Sequence, residues 1–505
     1  MADYELTHPR GDFIDGAFQL PNDSSGEIKL EDPGNTSAEL SAFPFARDAV
    51  DAAVDAARRA WPLWREVAFE ERSALLRRFA DEIANASELL TQAIALEAGK
   101  PLWEARTEVN ATVAKFEITL GAGMDLVREQ RFEMAPGQAA RWRNPSRGVM
   151  AVLGPFNFPV HLVNGHVIPA LATGNTVVIK PSEKTPLVGQ LYAELAARAG
   201  LPKGVLNLIQ GDGGSGAALA AHSDVAGVLF TGSYAVGRRI LEATLNQPHK
   251  LVALEMGGKN GVFVAADANL DAAARAIAFG CAVTAGQRCT ATSRVFAVRS
   301  VAEPLTEKLA GLFRRLKVGH HSQEDVFSGP LISSASQERH RLVHQLADQD
   351  RAERVVEGGA ISGPYPGHYV RPSLHWLDTL DRDSRYQGEE HFVPDCFVHP
   401  VAGVDEGAAA LDATDFGLAA SVFSAERETY EHVASRICMG IVNWNTGTVG
   451  ASSKLPFGGQ KKSGNERPAG ISSTVYCTAP MASVEVEVPD ATPRWPGFPE
   501  CPTAC

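Results

Sequence analysis

The 505-residue chain is short of basic residues, of cysteine and of long hydrophobic runs. Its 47 Lys and Arg stand against 60 Asp and Glu, a formal charge of −13, which argues against nonspecific binding to nucleic acid or to an anionic membrane. No unbroken apolar segment is long enough to span a bilayer. The N-terminus has no basic stretch followed by an apolar one, so a secretory signal is not expected.

Cysteine usage excludes a disulfide framework and a zinc site. The seven cysteines are scattered and odd in number, and no CxxC pair or His/Cys cluster has zinc-ligand spacing. They are Cys281, Cys289, Cys396, Cys438, Cys477, Cys501 and Cys505. We therefore expect free thiols, no metal centre and a reducing, cytoplasmic setting.

The order of apolar segments indicates an α/β protein. With 45% hydrophobic residues and a mean hydropathy of −0.10, the chain is typical of a soluble protein of two or three domains. Residues 47–127 are predicted to be mostly helical, and 131–148 to form a hairpin with turns at Pro136-Gly137 and Asn144-Pro145. From residue 148, and again from 260–267 to 440–445, short apolar strands alternate with helices, which predicts parallel sheets covered on both faces.

Two glycine-containing stretches compete as a phosphate-binding site. "GDGGSG" (211–216) matches G-x-G-x-x-G, but Asp224 comes too early and Glu242 too late to hold the ribose, so a flexible strand-to-helix turn is favoured. In "FTGSYAVG" (230–237) a strand ends at Gly232-Ser233 and a helix begins at once. Ser233 either caps that helix or presents its hydroxyl and nearby N–H groups to a pyrophosphate.

A third stretch, "KPSEKTP" (180–186), lies at the carboxyl end of the predicted strand "NTVVI". Cofactors bind at this end of open parallel sheets. Lys180, Ser182 and Glu183 therefore either contact a cofactor, with Lys180 and Glu183 bonded to ribose hydroxyls, or belong to a solvated charged loop.

Cys289, in "TAGQRCT" (284–290), is either a core residue or a nucleophile. The glycine and small residues before it provide access. Glu255 in "LEMGGKN" ends a predicted strand, and burial there would raise its pKa, as in a general base. Asn157 in "GPFNFP" is placed either to donate to an oxyanion or to begin a turn or helix.

Together these motifs resemble those of the aldehyde dehydrogenase superfamily over nearly the whole chain. Seven pieces occur in that family's order: "GPFNFP", "GNTVVIKPSE", "FTGS" followed by Gly237, "LEMGGKN", "GQRC", "EEHF" and "PFGGQKKSG". The resemblance implies a Rossmann-like NAD-binding domain (1–127 and 148–256), an α/β catalytic domain (257–470) and a small β bridging element that joins subunits (128–147 and 471–488). A Pro-rich tail (489–505) follows, and a homodimer or dimer of dimers is expected.

The resemblance also implies a role for each site residue. Cys289 would be the nucleophile and Glu255 the general base, with Asn157 and the Cys289 N–H binding the oxyanion. The cofactor-binding candidates are Lys180 and Glu183 at the adenine-side ribose, Ser233 at the pyrophosphate, Glu390 at the nicotinamide-side ribose, Phe392 near the nicotinamide, and also Ser182 and Gly232.

Two glutamates refine the expected chemistry. Relatives that pass the acyl group to coenzyme A generally lack a residue equivalent to Glu255, so its presence favours hydrolysis to the acid. Glu183 favours NAD, because its carboxylate would repel the additional phosphate of NADP. A thioesterase is disfavoured by the cofactor motifs, and a non-catalytic relative by the presence of all three catalytic residues.

The substrate expectation rests on "FNFPVHLVNGHVIPAL" (156–171), "GIVNWN" and "GASSKLPFGG", which look most like succinylglutamate semialdehyde dehydrogenases of arginine catabolism. The expected substrate is the anionic N-succinylglutamate 5-semialdehyde, with glutamate semialdehyde and then simple aliphatic aldehydes as alternatives. The substrate candidates are Arg288, Ser453 and Lys454, whereas His161, Asn164 and His166 are predicted to lie on a helix as buried, hydrogen-bonded side chains. Val393 replaces the glycine usual in the family, which affects the expected nicotinamide loop.

Overall fold

The structure, a computed structural model, describes residues 8–489 and 495–499. It contains two seven-stranded sheets and a separate three-stranded sheet. Most of the predicted tail (489–505), including Cys501 and Cys505, lies outside the described residues. In the described part, no helix combines the length and the apolar character needed to cross a membrane.

The strands fall into two halves of the chain. Those of the first half are β1 (Asp12–Ile14), β2 (Ala17–Gln19), β3 (Gly26–Lys29), β4 (Ala42–Phe45), β5 (Gln130–Ala135), β6 (Gln138–Arg143), β7 (Val149–Leu153), β8 (Thr176–Lys180), β9 (Leu206–Leu208), β10 (Val225–Thr231) and β11 (Leu251–Glu255). Those of the second half are β12 (Asn260–Val264), β13 (Thr292–Val298), β14 (Glu353–Val356), β15 (Gly359–Ala360), β16 (Val370–Arg371), β17 (Ser373–Trp376), β18 (Asp395–Val401), β19 (Phe416–Gly417), β20 (Ala419–Phe423), β21 (Ile441–Trp444), β22 (Pro456–Phe457), β23 (Gln460–Lys461), β24 (Ala469–Gly470) and β25 (Met481–Val486).

The helices cover both large sheets. They are α1 (Ala49–Glu66), α2 (Phe69–Asn85), α3 (Ser87–Ala98), α4 (Leu102–Ile118), α5 (His161–Ala172), α6 (Pro186–Arg198), α7 (Gly213–Ala221), α8 (Tyr234–Thr244), α9 (Leu270–Ala282), α10 (Arg299–Phe313), α11 (Ser334–Gln349), α12 (Arg385–Gly388), α13 (Val404–Asp412), α14 (Arg427–Ala434) and α15 (Ser473–Tyr476). A π-helical turn, Thr119–Gly123, follows α4, and a 3-10 turn, Val283–Gly286, follows α9.

The first large sheet has the order β11-β10-β7-β8-β9-β1-β2, with the β11–β9 part parallel and β1 and β2 antiparallel. Strands β7 and β8 are buried along their whole length, as expected for Val- and Ile-rich strands covered on both faces. Leu153 pairs with Lys180, and Thr231 pairs with Glu255. The carboxyl ends of these strands therefore form one edge of the sheet.

The second large sheet has the order β14-β17-β18-β13-β12-β20-β21 and is parallel except for the β14–β17 pair. Its central strand β13 begins three residues after Cys289. Helices α9 and α10 pack against this sheet, with α10 contacting β13 and β18. The predicted alternation of strands and helices in both halves is confirmed.

The predicted helical region 47–127 is also confirmed, as α1–α4. The apolar side chains of α2 lie three or four residues apart and are buried on one face. The Phe79 ring is 5.6 Å from Phe116 on α4 and 5.0 Å from Tyr192 on α6, between centroids. This packing fixes α4 beside the first sheet, which matters for the site described below.

The three-stranded sheet has the order β25-β6-β5. The predicted hairpin turn is confirmed, since β5 and β6 are joined through Gly137, whose φ of 74° favours glycine. The part of the expected β bridging element at 471–488 is helical at its start, because Ser473–Tyr476 forms α15 and Met481–Val486 is the extended part. The Ser473 hydroxyl donates to the Gly470 carbonyl, and the buried Tyr476 ring packs beside α5, which stabilises a helical turn there.

Candidate active site

The sequence-predicted nucleophile and base line the same pocket. Glu255 is the last residue of β11, and Cys289 lies in the loop before β13. Arg288, Lys115 and Ser453 also line this pocket. The site is thus built from the carboxyl edge of the first sheet, helix α4 and loops of the C-terminal half.

The loop that carries Cys289 has an uncommon backbone conformation. Thr284 and Ala285 have φ angles of 56° and 51°, a left-handed region that costs a non-glycine residue about 1–3 kcal/mol. The buried Glu104 on α4 holds this loop. Its carboxylate accepts a hydrogen bond from the Thr284 N–H at 3.3 Å, another from the Thr284 hydroxyl, and pairs with Arg288 at 2.9 Å.

Glycine is required at position 286 because the loop meets another segment there. Gly286 has a φ of 71°, and a Cβ on it would lie 2.4 Å from the carbonyl carbon of Val393. Val393, where the family usually has glycine, therefore fits this site. Its side chain is buried, and its backbone lies against Gly286.

Cys289 is a free, partly buried thiol. Burial, followed by the negative charges of Glu390 and Glu255, raises the pKa of Cys289 to about 12, although Arg288 lowers it. The side-chain amide of Asn260 donates to the Cys289 carbonyl at 2.8 Å, which fixes the backbone on the far side of the loop. The thiol is therefore protonated near neutral pH and needs a base to become a nucleophile.

Glu255 has the environment of such a base. Burial raises the pKa of Glu255 well above its usual value, with the Ala469 N–H acting in the opposite direction. Oε1 accepts that N–H at 3.2 Å, whereas Oε2 is buried and has no partner among the residues described. A carboxylate with one unengaged oxygen can accept a proton from a thiol or from water.

Asn157 lies in the loop between β7 and α5 and is buried. Its Nδ2 donates to the Gln287 carbonyl at 2.8 Å, two residues before Cys289. An amide nitrogen carries two protons, so this bond uses one and leaves the second for another acceptor. The structure thus places Asn157 against the loop that carries Cys289.

The adenine-side candidates lie together at the end of β8. Lys180 Nζ is 3.3 Å from Glu183 Oε2, and the Ser182 hydroxyl accepts from the Lys184 N–H at 3.2 Å. Burial acts in the opposite direction, but the charge of Lys180 holds the pKa of Glu183 below its usual value. An anionic Glu183 at this edge favours ribose hydroxyls over a phosphate.

The remaining cofactor candidates belong to a second cleft. Ser233 and Glu390 line this cleft, and Gly232 and Phe392 are close to them in the sequence. Ser233 accepts from the Val236 N–H at 3.4 Å and so caps α8, while the Gly232 N–H donates to the Glu255 carbonyl at 3.0 Å. Glu390 accepts from the Gly258 N–H at 2.9 Å, and burial raises its pKa to about 7. Phe392 has a φ of 59°, and its ring meets Phe156 edge-on with centroids 5.9 Å apart.

The glycine-rich "GDGGSG" segment is a strand-to-helix turn, as favoured from the sequence. Asp212 caps α7 by accepting from the N–H groups of Gly214 and Ser215 at 2.9 and 3.1 Å. Arg47 pairs with the same carboxylate at 2.6 Å. The negatively charged Asp212 at this helix start disfavours a phosphate there.

Among the described residues, the group with metal-ligand geometry lies outside the Cys289 pocket. Asp32, His320 and His321 have ligand atoms within 4.8 Å of one another. Asp32 Oδ2 is 3.0 Å from His320 Nε2, and its Oδ1 accepts from the Gly34 N–H at 2.8 Å. These bonds join the segment after β3 to the loop after α10.

Sequence comparison assigns the chain to a family. The family model "Aldehyde dehydrogenase family" matches residues 20–481. The chain belongs to the aldehyde dehydrogenase family. The resemblance drawn from the seven motifs is thereby confirmed.

Two relatives in this family carry the same functional name. N-succinylglutamate 5-semialdehyde dehydrogenase of Paraburkholderia xenovorans is 39% identical over 457 residues, covering 90% of this chain and 92% of that protein. N-succinylglutamate 5-semialdehyde dehydrogenase 1 of Caulobacter vibrioides is 40% identical over 443 residues, covering 87% and 92%.

Solved structures of the family have the same fold. An NAD-dependent aldehyde dehydrogenase from Sinorhizobium meliloti gives a TM-score of 0.91 at 31% identity, covering 96% of each chain. Aldehyde dehydrogenase C from Pseudomonas syringae, in complex with NAD+ and octanal, gives 0.88 at 29% identity, covering 96% of this chain and 98% of that one. The predicted fold class is confirmed.

The three substrate candidates differ in where the structure places them. Ser453 lines the pocket. Arg288 lines it too, but its charge is paired with Glu104, and its guanidinium lies 4.7 Å from the centroid of the Phe158 ring. Lys454 is exposed and is not among the residues that line the pocket.

Most of the polar side chains on α5 are structural, as the sequence predicted. His166 is bonded to the Tyr476 hydroxyl at 2.9 Å and to the Thr231 hydroxyl at 3.0 Å. The Asn164 amide donates to the Thr112 carbonyl at 3.1 Å and accepts from the Tyr192 hydroxyl at 2.8 Å. Both histidines line the pocket, but His161 differs from His166 because its buried Nδ1 has no partner within the described part of the chain.

Sequence reasoning missed one face of helix α4. Glu104, Glu108 and Lys115 are all buried, and Glu108 pairs with the equally buried Lys100 at 2.7 Å. Glu108 also accepts from the backbone N–H groups of Val160 and His161, at 3.0 and 3.1 Å, where α5 begins. Their spacing of four and seven residues along a helix was the available signal.

Proposed function

We propose that the protein catalyses the NAD-dependent oxidation of an aldehyde to a carboxylic acid. The observation that supports this most directly is the shared pocket of Cys289 and Glu255, with the Asn157 amide tied to the nucleophile's own loop. Membership of the aldehyde dehydrogenase family agrees with this chemistry.

In the first half-reaction, the Cys289 sulfur forms a bond to the aldehyde carbon while the thiol proton passes to the Glu255 carboxylate, directly or through water. The carbonyl electron pair moves to oxygen, where the free N–H of Asn157 and the Cys289 N–H donate to it. Such a donor is worth about 10²–10³-fold in rate. When the oxygen pair returns, the carbon–hydrogen bond breaks with both electrons and a thioester remains on Cys289.

Bound NAD would supply the acceptor for that hydride. The residues present fit such a group: Ser233 at the start of the eleven-residue helix α8 and the buried Glu390 carboxylate line one cleft, and the Lys180–Glu183 pair lies at the carboxyl end of β8 in the same sheet as β10. Glu390 and Glu183 would bind ribose hydroxyls, Lys180, Ser182 and Gly232 would support the cofactor from the strand ends, and Phe392 would pack against it.

Between the two half-reactions Glu255 releases the thiol proton to solvent and becomes a carboxylate again. In the second half-reaction it takes a proton from water, whose oxygen bonds to the thioester carbon. The carbon–sulfur bond then breaks, the acid leaves, and the sulfur is reprotonated. The buried, partly unengaged Glu255 carboxylate favours this hydrolysis over transfer to coenzyme A.

The substrate we propose is N-succinylglutamate 5-semialdehyde, with glutamate semialdehyde as the runner-up. The two named relatives support it. A pocket lined by Arg288, Lys115 and Ser453 is suited to an anionic aldehyde. The reaction would place the protein in the cytoplasm.

Quaternary structure belongs to the same proposal. The chain would divide into an NAD-binding domain (1–127 and 148–256), a catalytic domain (257–470) and a bridging element (128–147 and 471–488). The bridging sheet exposes Phe132, Met134, Trp142 and Val484, an apolar surface that would be covered in a homodimer or dimer of dimers.

The test is NADH formation with purified protein and a panel of aldehydes, each with and without coenzyme A. N-succinylglutamate 5-semialdehyde should give the highest kcat/KM, and coenzyme A should not accelerate turnover. Cys289→Ser should abolish oxidation while NAD binding, followed by quenching of protein fluorescence, persists. Absence of NADH with every aldehyde would contradict the proposed activity.

A further inference from the structure

The buried positive charges around the Cys289 pocket are not equally neutralised. Lys100 pairs with Glu108, and Arg288 pairs with Glu104. Lys115, on the same face of α4, lines the pocket but forms no ion pair with a carboxylate of the described residues.

Lys115 is almost completely buried, with 1% of its surface exposed. Its ammonium group donates to the Gly470 carbonyl, which uses one of its three N–H bonds. Burial lowers the pKa of Lys115 to about 8. A buried ammonium without a counter-ion is costly, so such groups are rare unless a partner is supplied.

Two other buried lysines also have no carboxylate partner among the described residues, but they do not create a need for a counter-ion in this pocket. Lys250 donates to the carbonyls of Ala220 and His222, and Lys259 donates to the Tyr386 carbonyl. Neither of these two lysines lines the pocket that contains Cys289.

The surroundings of Lys115 strengthen the same electrostatic character. Burial lowers the pKa of His161 to about 4, and the positive charges of Lys115, Lys100 and Arg288 act in the same direction. His161 lines the pocket as a neutral imidazole with an unengaged nitrogen. The part of the pocket formed by Lys115 and His161 therefore carries a net positive charge. It also contains polar atoms that have no hydrogen-bond partner among the described residues.

We propose that Lys115 is a specificity-determining residue whose ammonium group binds a carboxylate that the substrate carries away from its aldehyde carbon. This inference rests on the proposed aldehyde oxidation and names the residue that selects anionic aldehydes. Lys115 supplies the positive charge that balances the substrate carboxylate. Arg288 does not supply it because it is already paired with Glu104, and Lys454 does not because it is exposed.

The experiment uses two aldehydes that differ by one charge, 6-oxohexanoate and its methyl ester. Wild-type protein should prefer the acid. Lys115→Met should lower kcat/KM for the acid and for N-succinylglutamate 5-semialdehyde by about 10- to 100-fold, the usual range for a hydrogen bond to a charged group. The loss should appear mainly in KM, while the ester is oxidised as by the wild type.

Two controls separate charge from structure. Lys115→Arg should restore part of the preference for the acid, and Lys29→Met, at an exposed position of β3, should leave it unchanged. The acid-to-ester ratio is measured within each preparation, so it does not depend on the fraction of variant that folds. Inhibition by the product N-succinylglutamate should weaken in parallel in Lys115→Met.

The outcomes distinguish this inference from the proposed substrate. If the wild type oxidises 6-oxohexanoate but not N-succinylglutamate 5-semialdehyde, that substrate is wrong and the acid–ester pair still tests Lys115. Equal losses for acid and ester in Lys115→Met, or a wild type without preference for the acid, would overturn the role of Lys115.

Discussion

Replacing Glu104 by glutamine should both destabilise the protein and slow its chemistry. Glu104 is fully buried and is the anionic partner of Arg288, whose side chain is only 15% exposed. Removing one charge of a buried pair typically costs about 3–5 kcal/mol. The contact of Arg288 with the Phe158 ring compensates part of this, so we expect a loss of about 3 kcal/mol.

The catalytic effect has a separate origin. Glutamine keeps one acceptor oxygen, whereas Glu104 uses both oxygens to hold Thr284 and Arg288. The left-handed residues Thr284 and Ala285 would then relax, which moves Cys289 relative to Asn157. A misplacement of reacting groups by about 1 Å can cost about 10²-fold in rate, so kcat should fall by that order.

The matched control lies on the same helix. Glu117→Gln breaks an exposed pair with Arg77, in which the two atoms are 2.8 Å apart, and should cost less than about 1 kcal/mol with no change in kcat. Urea denaturation followed by tryptophan fluorescence gives the stability, and NADH formation gives kcat. If Glu104→Gln behaves like Glu117→Gln in both assays, the carboxylate does not hold the nucleophile loop.

Further predictions concern the reacting groups and the subunit contact. Glu255→Gln should oxidise one equivalent of aldehyde slowly, because no carboxylate takes the thiol proton, and then stop, leaving an acyl-enzyme seen as added mass; normal turnover would contradict its role. Because the pKa of Glu255 is raised, wild-type kcat should rise with pH through a value above 4.5 as the carboxylate ionises, and this dependence should be absent from the single round of oxidation by the glutamine variant. Asn157→Ala should lower kcat by about 10²–10³-fold with little change in NAD binding, which stopped-flow fluorescence can check. Val484→Arg, in the exposed β25 strand, should produce smaller species in light scattering without loss of helical signal, and an unchanged mass would place the contact elsewhere.

The placement of Glu255 and Lys180 was predictable because strand ends are easy to recognise. Glu255 and Lys180 each close an apolar run, and in a parallel sheet such ends lie at one edge. The family motifs supplied the pairing of these ends with Cys289. That an α/β fold would result followed from the alternation of segments alone.

Other features depended on contacts between distant segments. Charged residues in a helix are expected to face solvent, so the spacing that places Glu104, Glu108 and Lys115 on one face of α4 did not by itself indicate burial. Lys454 looked suitable for binding an anion, but its N–H donates to the Ser452 hydroxyl at 3.2 Å in a turn that leaves its side chain outside. Neither outcome is encoded by the neighbouring residues.

Helix α4 acts as a rigid spacer between two loops that belong to different sheets. One is the loop after β7 that contains Asn157, and the other is the loop before β13 that contains Cys289. Glu104 holds the segment before Cys289, and Glu108, about 6 Å further along the axis, holds the start of the helix that follows Asn157. Both loops are thereby attached to one rigid helix. The separation of the Cys289 thiol and the Asn157 amide is therefore tied to a spacing of four residues on α4, and a substitution at either glutamate should disturb the position of one group relative to the other.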